Sequence, residues 1–187
     1  YSYGVGQDAR MKKILSKYGQ VVMFGGHTHY ELDTDNSVTL GSEDLPVYVN
    51  TASIGYLWNA YNIQAGEYMY GAHGYFVKVF GDKIYMFGRN FMTGEYMPSA
   101  MYVIEPAKLD IAQSKISMYV GDDSLNLGAV TEEGMQLTYK SSNAKVATVD
   151  YKGNVRAVGQ GTAKIYISTE SSKTKAVNRK TVTVTVE

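Results

Sequence analysis

The chain has no cysteine in its 187 residues, so disulfides and thiolate metal sites are excluded. That absence suits a cytosolic protein and equally the many secreted proteins that do without disulfides. Charge of one sign is also lacking: 18 Lys and Arg stand against 18 Asp and Glu, a formal net charge of zero. Such a balance gives no footprint for nucleic acid and no basic patch for a membrane surface. No apolar run approaches the roughly 20 residues a membrane helix needs, so no membrane span is expected. An initiator Met, a charged n-region and an apolar h-region are all missing from the start. The expectation is therefore a removed leader or, better supported by the motifs below, a piece of something longer. What is present is ordinary for a globular chain, with 44% hydrophobic and 19% charged residues. The length allows one large domain or two small ones.

Histidine is scarce as well, with three in all, yet two of them stand one residue apart in Gly25-Gly26-His27-Thr28-His29-Tyr30. The preceding Val21-Val22-Met23-Phe24 is short, β-branched and aromatic, and reads as a buried strand ending in a glycine turn. Imidazole is the commonest side-chain metal ligand, and a loop at a strand end can aim two rings at neighbouring ions. The glycines would let the backbone approach closely where a side chain would block metals or substrate. The competing reading is a surface turn with two solvated histidines.

Gly26-His27-Thr28-His29 resembles the last metal-binding motif, Gly-His-x-His, of the calcineurin-like metallophosphoesterases. Segments 46–53, 74–80 and 83–89 also fit that family's C-terminal half, so the resemblance spans about residues 1–105. It implies an α/β unit, half of an αββα sandwich, and a phosphoester substrate hydrolysed at two metal ions (Mn, Fe, Zn or similar). In that family the ions polarise the phosphoryl oxygens and lower the pKa of a bridging water to make hydroxide. By the same resemblance His27 would ligate the second metal and His29 the first. The family's other motifs, Asp-x-His, Gly-Asp, Gly-Asn-His-Asp/Glu and an isolated His, are not found in family order ahead of this one. Two imidazoles cannot hold a dinuclear site, because each ion wants several donors.

Around that motif the chain is read in order. Residues 7–19 are expected to be helical, with Met11, Ile14, Leu15 and Tyr18 on one face and Lys12, Lys13 and Lys17 on the other. Asp33, Asp35, Ser37 and Asp44 loosely resemble calcium-loop spacing, but Val38 stands where glycine is required. Residues 46–50 read as a strand. The aromatics Tyr56, Trp58, Tyr61, Tyr68, Tyr70 and Tyr75 are expected mainly to cover the sheet; stacking on a base or sugar is the alternative. His73 is expected to be a loop or packing histidine. Two strands joined at Gly81-Asp82 follow, both faces expected to be largely covered. Arg89 is expected in a structural salt bridge rather than on a phosphate.

Composition shifts at Glu105-Pro106-Ala107. Residues 1–106 carry 7 Lys and Arg, 10 Asp and Glu, and 13 of the 17 Tyr. Beyond them Lys, Ser, Thr and Val dominate, with strands about ten residues apart, a β-sandwich pattern. Segments 115–121, 137–143, 146–150, 153–157 and 161–165 resemble, in order, a group 2 bacterial immunoglobulin-like domain over residues 109–187. That resemblance implies an all-β immunoglobulin-like sandwich of about seven strands, a secreted or cell-surface location, and possible contact with a cell-surface polymer.

The expectation is thus the C-terminal portion of an exported metal-dependent phosphoesterase, whose N-terminal half lies outside this chain. Alone, the chain is expected to be inactive. The alternative is a non-catalytic surface binding or spacer protein whose α/β part is degenerate.

Overall fold

The computed structural model describes residues 7–18, 21–35, 37–58 and 68–187, and these are mostly β-structure with one short helix. Helix α1 is Asp8–Leu15, shorter than the 7–19 expected. An Asp8–Lys12 ion pair at 2.6 Å and an acidic first turn support it, but none of its residues is buried. Ile14 and Tyr18 of the expected apolar stripe are exposed, so burial that would normally extend such a helix is missing on this side.

Strands β1 (Val22–Gly25), β2 (Val38–Thr39) and β3 (Val47–Asn50) form a sheet in the order β1-β3-β2. β1 runs parallel to β3, placing Gly25 directly opposite Asn50 at the C-terminal end of both. β3 is central and buries Val47 and Val49; β1 is an edge, which is why Phe24, expected in a buried strand, is exposed. A two-stranded ribbon, β4 (Tyr56–Trp58) and β5 (Tyr68–Tyr70), follows. Then β6 (His73–Val79), β7 (Ile84–Asn90) and β8 (Glu95–Ile104) make an antiparallel meander. The turn falls at Gly81-Asp82, with Val79 opposite Ile84. At Gly88 the β7–β8 register shifts, and a Cβ there would lie 2.8 Å from the Ala100 carbonyl oxygen. Glycine lets the two backbones close on each other at the bulge.

The inner face of the meander sets Met86 and Ile104 against Val47 and Val49, with Tyr75, Val77 and Tyr102 alongside. Both faces were expected to be covered; in fact Phe76, Phe80, Met101 and Val103 on the outer face are exposed. Arg89 has its guanidinium 5.1 Å from the Tyr96 ring centre and makes no ion pair among the described residues, replacing the expected salt bridge with a cation–π contact.

Residues beyond 108 form an all-β sandwich. Its strands are β9 (Leu109–Asp110), β10 (Lys115–Met118), β11 (Leu125–Asn126), β12 (Val130–Thr131), β13 (Leu137–Ser141), β14 (Ala147–Val149), β15 (Asn154–Ala157), β16 (Gly161–Thr169) and β17 (Arg179–Val186). One sheet is ordered β10-β17-β16-β13, the other β11-β15-β14, with β9 and β12 as an accessory pair. Alternation along β17 buries Val182, Val184 and Val186 against Ile165 and Ile167 of β16 and Val155 of β15. Asp150 closes the β14–β15 turn by accepting from the Lys152 and Asn154 backbone N–H groups, both at 2.9 Å. Those bonds, with the Asn154 side-chain amide foremost, hold its carboxyl below the usual carboxylate range.

The two halves meet over more than the 105–107 link. Between β16 and β17 the chain reaches back to the first half. Val177 N donates to Leu40 O, Ser171 Oγ to Gly41 O, and Arg179 Nη2 to the carbonyls of Ser42 and Leu45. Ala176 packs into the core that contains Val47 and Val49. Lys175 bonds Glu105 at 2.7 Å, and its ammonium, with that of Lys83, holds the Glu105 carboxyl low.

Candidate functional site

The His-Thr-His loop leaves β1 where β1 and β3 end side by side. Thr51 secures the exit, its N–H and hydroxyl both donating to Gly25 O at 2.9 and 3.2 Å. The described non-glycine residues with positive φ are His27 (80°), His29 (57°) and Ala52 (56°), and all three belong to this corner. A left-handed conformation costs an L-residue on the order of 1–3 kcal/mol and persists only where surroundings enforce it. Here the enforcing residue is Asn50, almost fully buried. Its Oδ1 accepts from Thr28 Oγ1 at 2.8 Å and its Nδ2 donates to Tyr30 O at 3.2 Å, so one amide grips the loop on both sides of His29.

His29 is held by a third element. Trp58 N donates to His29 O at 2.8 Å, and His29 Nδ1 lies 3.1 Å from Tyr56 O. A carbonyl can only accept, so Nδ1 carries a proton, and in the neutral ring Nε2 is then the nitrogen with the lone pair. A histidine ligand is characteristically oriented in this way, its second nitrogen bonded to a backbone carbonyl. His27 is exposed and His29 half-buried, so neither ring lies in a closed apolar pocket. Among the described residues, no group of three or more His, Asp or Glu side chains could hold a metal ion.

The glycines act differently from expectation. A Cβ on Gly25 would collide with the Tyr48 ring, while one on Gly26 would meet only Thr51 Oγ1 at 3.4 Å. Close approach at Gly25 thus serves packing within the sheet. His73 sits buried on β6, with Nδ1 lacking a partner among the described residues, and burial lowers its pKa against the opposing influence of Asp33. The 31–37 segment bonds to itself, Thr34 to Ser37 at 2.9 Å and Ser37 Oγ to Glu31 O at 3.0 Å, as a structural loop. Leu32 O inside it accepts from Tyr102 at 3.0 Å, and burial raises the pKa of both Tyr102 and Tyr75.

The aromatic stretch also departs from expectation. Leu57 points into the core, whereas Tyr56, Trp58, Tyr68 and Tyr70 share the opposite face of the β4–β5 ribbon. Tyr61 lies outside the described residues. Asn50 is the site residue that sequence reasoning did not single out; Tyr56 and Trp58 were named there only as aromatics. A parallel partner ending beside the histidine strand was the available signal, since open sheets gather sites at strand C-terminal ends.

Asn50→Ala is expected to lower the unfolding free energy by about 2 kcal/mol, because Thr28 and Tyr30 lose buried partners and the strained loop loses its support. Urea melts followed by Trp58 fluorescence measure it. Asn50→Asp keeps the acceptor for Thr28 but sets a buried carboxylate against the Tyr30 carbonyl, so it should cost at least as much.

Compared with known proteins, residues 130–171 match the family model described as intimin, immunoglobulin-like domain. No curated protein matches the chain. The matched stretch covers β12 to β16, from the accessory pair through both sheets of the sandwich. Residues 130–171 are thus similar to an immunoglobulin-like domain, in keeping with the all-β sandwich in which they lie.

Proposed function

We propose that residues 1–105 are the C-terminal portion of a dinuclear-metal phosphoesterase of the calcineurin-like kind, carried by an exported bacterial protein whose immunoglobulin-like domain faces the cell exterior. The observation that carries this is the orientation of His29. Its Nδ1 is committed to the Tyr56 carbonyl, and its Nε2 is left available on a strained Gly-His-Thr-His loop beside a parallel strand pair. Among the described residues, one short helix with no buried residue and the parallel β1–β3 pair are all that lean toward an α/β unit. The match to an intimin immunoglobulin-like domain supports a surface or secreted location.

His27 and His29 would be two of the ligands to a pair of divalent or trivalent ions. When bound, such ions polarise a phosphoryl oxygen and activate water. The residues of this chain contribute placement. Asn50 holds the loop in its left-handed conformation, and the Tyr56 carbonyl selects the tautomer of His29. The remaining donors, including a bridging carboxylate, would come from polypeptide beyond the described residues.

A second reading, a non-catalytic surface binding or spacer protein, is favoured by one observation: the described residues offer no third ligand near the histidines. Hydrolysis of an aryl phosphate with added Mn²⁺ or Zn²⁺ separates the two. The assay compares this chain with the same chain extended by its upstream coding sequence. Turnover is expected only from the extended protein. An extended protein that carries no Asp-x-His and Gly-Asn-His motifs, and does not turn over, would establish the spacer reading instead.

A further inference from the structure

Resting on the phosphoesterase assignment above, we propose that the β4–β5 ribbon is a base-stacking platform, making the substrate a nucleoside phosphoester. Tyr56 stands opposite Tyr70, and Trp58 opposite Tyr68, so four aromatic side chains occupy one face of a two-stranded ribbon. Burial does not explain them. Tyr56, Tyr68 and Tyr70 are 41%, 62% and 90% exposed, while Leu57 between them is buried and already secures the ribbon to the core.

The rings are organised, not scattered. Tyr56 and Tyr68 meet edge-to-face with centres 5.5 Å apart, and Trp58 and Tyr68 likewise at 6.3 Å. Edge-to-face packing braces each ring by its neighbour and leaves ring faces open to solvent. The platform is continuous with the histidine loop. The Tyr56 ring lies 4.2 Å from the His29 ring, and Tyr30 bridges to Trp58 in parallel. A ligand whose phosphate sits at His27 and His29 would thus present whatever lies beyond its phosphate to these rings.

Every nucleobase has a π-face, and stacking on a tyrosine or tryptophan needs no particular edge pattern. A ribose is the spacer that a 5′-phosphate and its base require between the histidine loop and the rings. The neutral chain, without a basic track for a polyanion, points to a mononucleotide rather than a polymer.

Trp58 is the chain's one tryptophan, so its fluorescence reports directly on the platform. The test titrates this chain, in metal-free buffer with chelator, with AMP and with CMP, and in parallel with ribose 5-phosphate and inorganic phosphate. Saturable quenching by the nucleotides is expected, and none by ribose 5-phosphate or phosphate. Tyr68→Ala, an exposed position whose loss spares the core, should weaken nucleotide binding roughly tenfold or more. Leu57 anchors the ribbon independently, so Tyr70→Ala serves as a second variant and should also weaken binding. Absence of saturable quenching up to millimolar nucleotide, an equal response to ribose 5-phosphate, or unchanged affinity in both variants would overturn the platform. The two proposals fail separately. Metal-dependent turnover of an aryl phosphate by the extended protein, with no nucleotide quenching, removes the platform and keeps the phosphoesterase. Nucleotide quenching in a protein with no metal-dependent turnover keeps the platform and removes the phosphoesterase.

Discussion

In the polypeptide extended by its upstream coding sequence, His29→Ala is expected to lose at least about 100-fold in kcat/KM on an aryl phosphate. Losing an outer-shell partner of a metal ligand alone costs tenfold to a hundredfold, and under the proposed phosphoesterase assignment this variant would remove the ligand itself. His29 is the better braced of the pair, with its carbonyl oxygen bound by Trp58 N–H and its Nδ1 by the Tyr56 carbonyl. His27→Ala should fall comparably, because a two-ion site loses its geometry when either ion loses a donor. A Thr28→Val variant offers a graded control. It removes the 2.8 Å bond to Asn50 while leaving both imidazoles in the chain. A smaller loss is expected from it, through positioning alone. Full activity in either alanine variant would mean that that histidine is not a ligand.

Ile165→Ala should destabilise the sandwich by about 2–5 kcal/mol, the range for truncating a fully buried aliphatic side chain without refilling its space. Ile165 is completely buried in β16, between β13 and β17, within the core shared by both sheets. The more informative outcome concerns the first half. The segment between β16 and β17 buries Ala176 and Val177 and donates hydrogen bonds to Leu40 and Gly41, while Arg179 at the start of β17 donates to Ser42 and Leu45. Loosening β16 and β17 removes the anchor of that segment. The thermal midpoint read by Trp58, which lies in the first half, is therefore expected to fall together with the midpoint read by far-UV circular dichroism. An unchanged Trp58 midpoint would show that the seam carries no coupling.

Much of the sandwich was legible because its closing segment, residues 181–186, follows the period-two rule without interruption. Thr181-Val182-Thr183-Val184-Thr185-Val186 buries each valine, as alternation requires. The β6–β7 hairpin was legible for a local reason, its Gly81-Asp82 turn. What alternation could not tell was which face meets another layer. Phe76 and Phe80 are as apolar as Val77 and Met86, yet they face outward because the first sheet covers only one side of the meander. The helix was overextended because its apolar stripe implied a partner that the described residues do not supply.

At the site, the two histidines could be found from their pairing and their glycines. Asn50 could not, since its role depends on β3 running parallel to β1 and ending level with it. Nor could the ribbon's orientation be read beforehand. The bridge from Tyr30 to Trp58 and the bonds of His29 to Trp58 N and Tyr56 O join the ribbon to the histidine loop, where composition alone suggested sheet cover.

The most direct measurement of the central claim is metal stoichiometry after dialysis against Mn²⁺ or Zn²⁺, by inductively coupled plasma mass spectrometry. The extended protein should retain two ions per chain, and its His27→Ala and His29→Ala variants fewer. This chain alone, with two imidazoles and no third donor among its described residues, should retain none. An extended protein that retains no metal, or alanine variants that still hold two ions, would contradict the account.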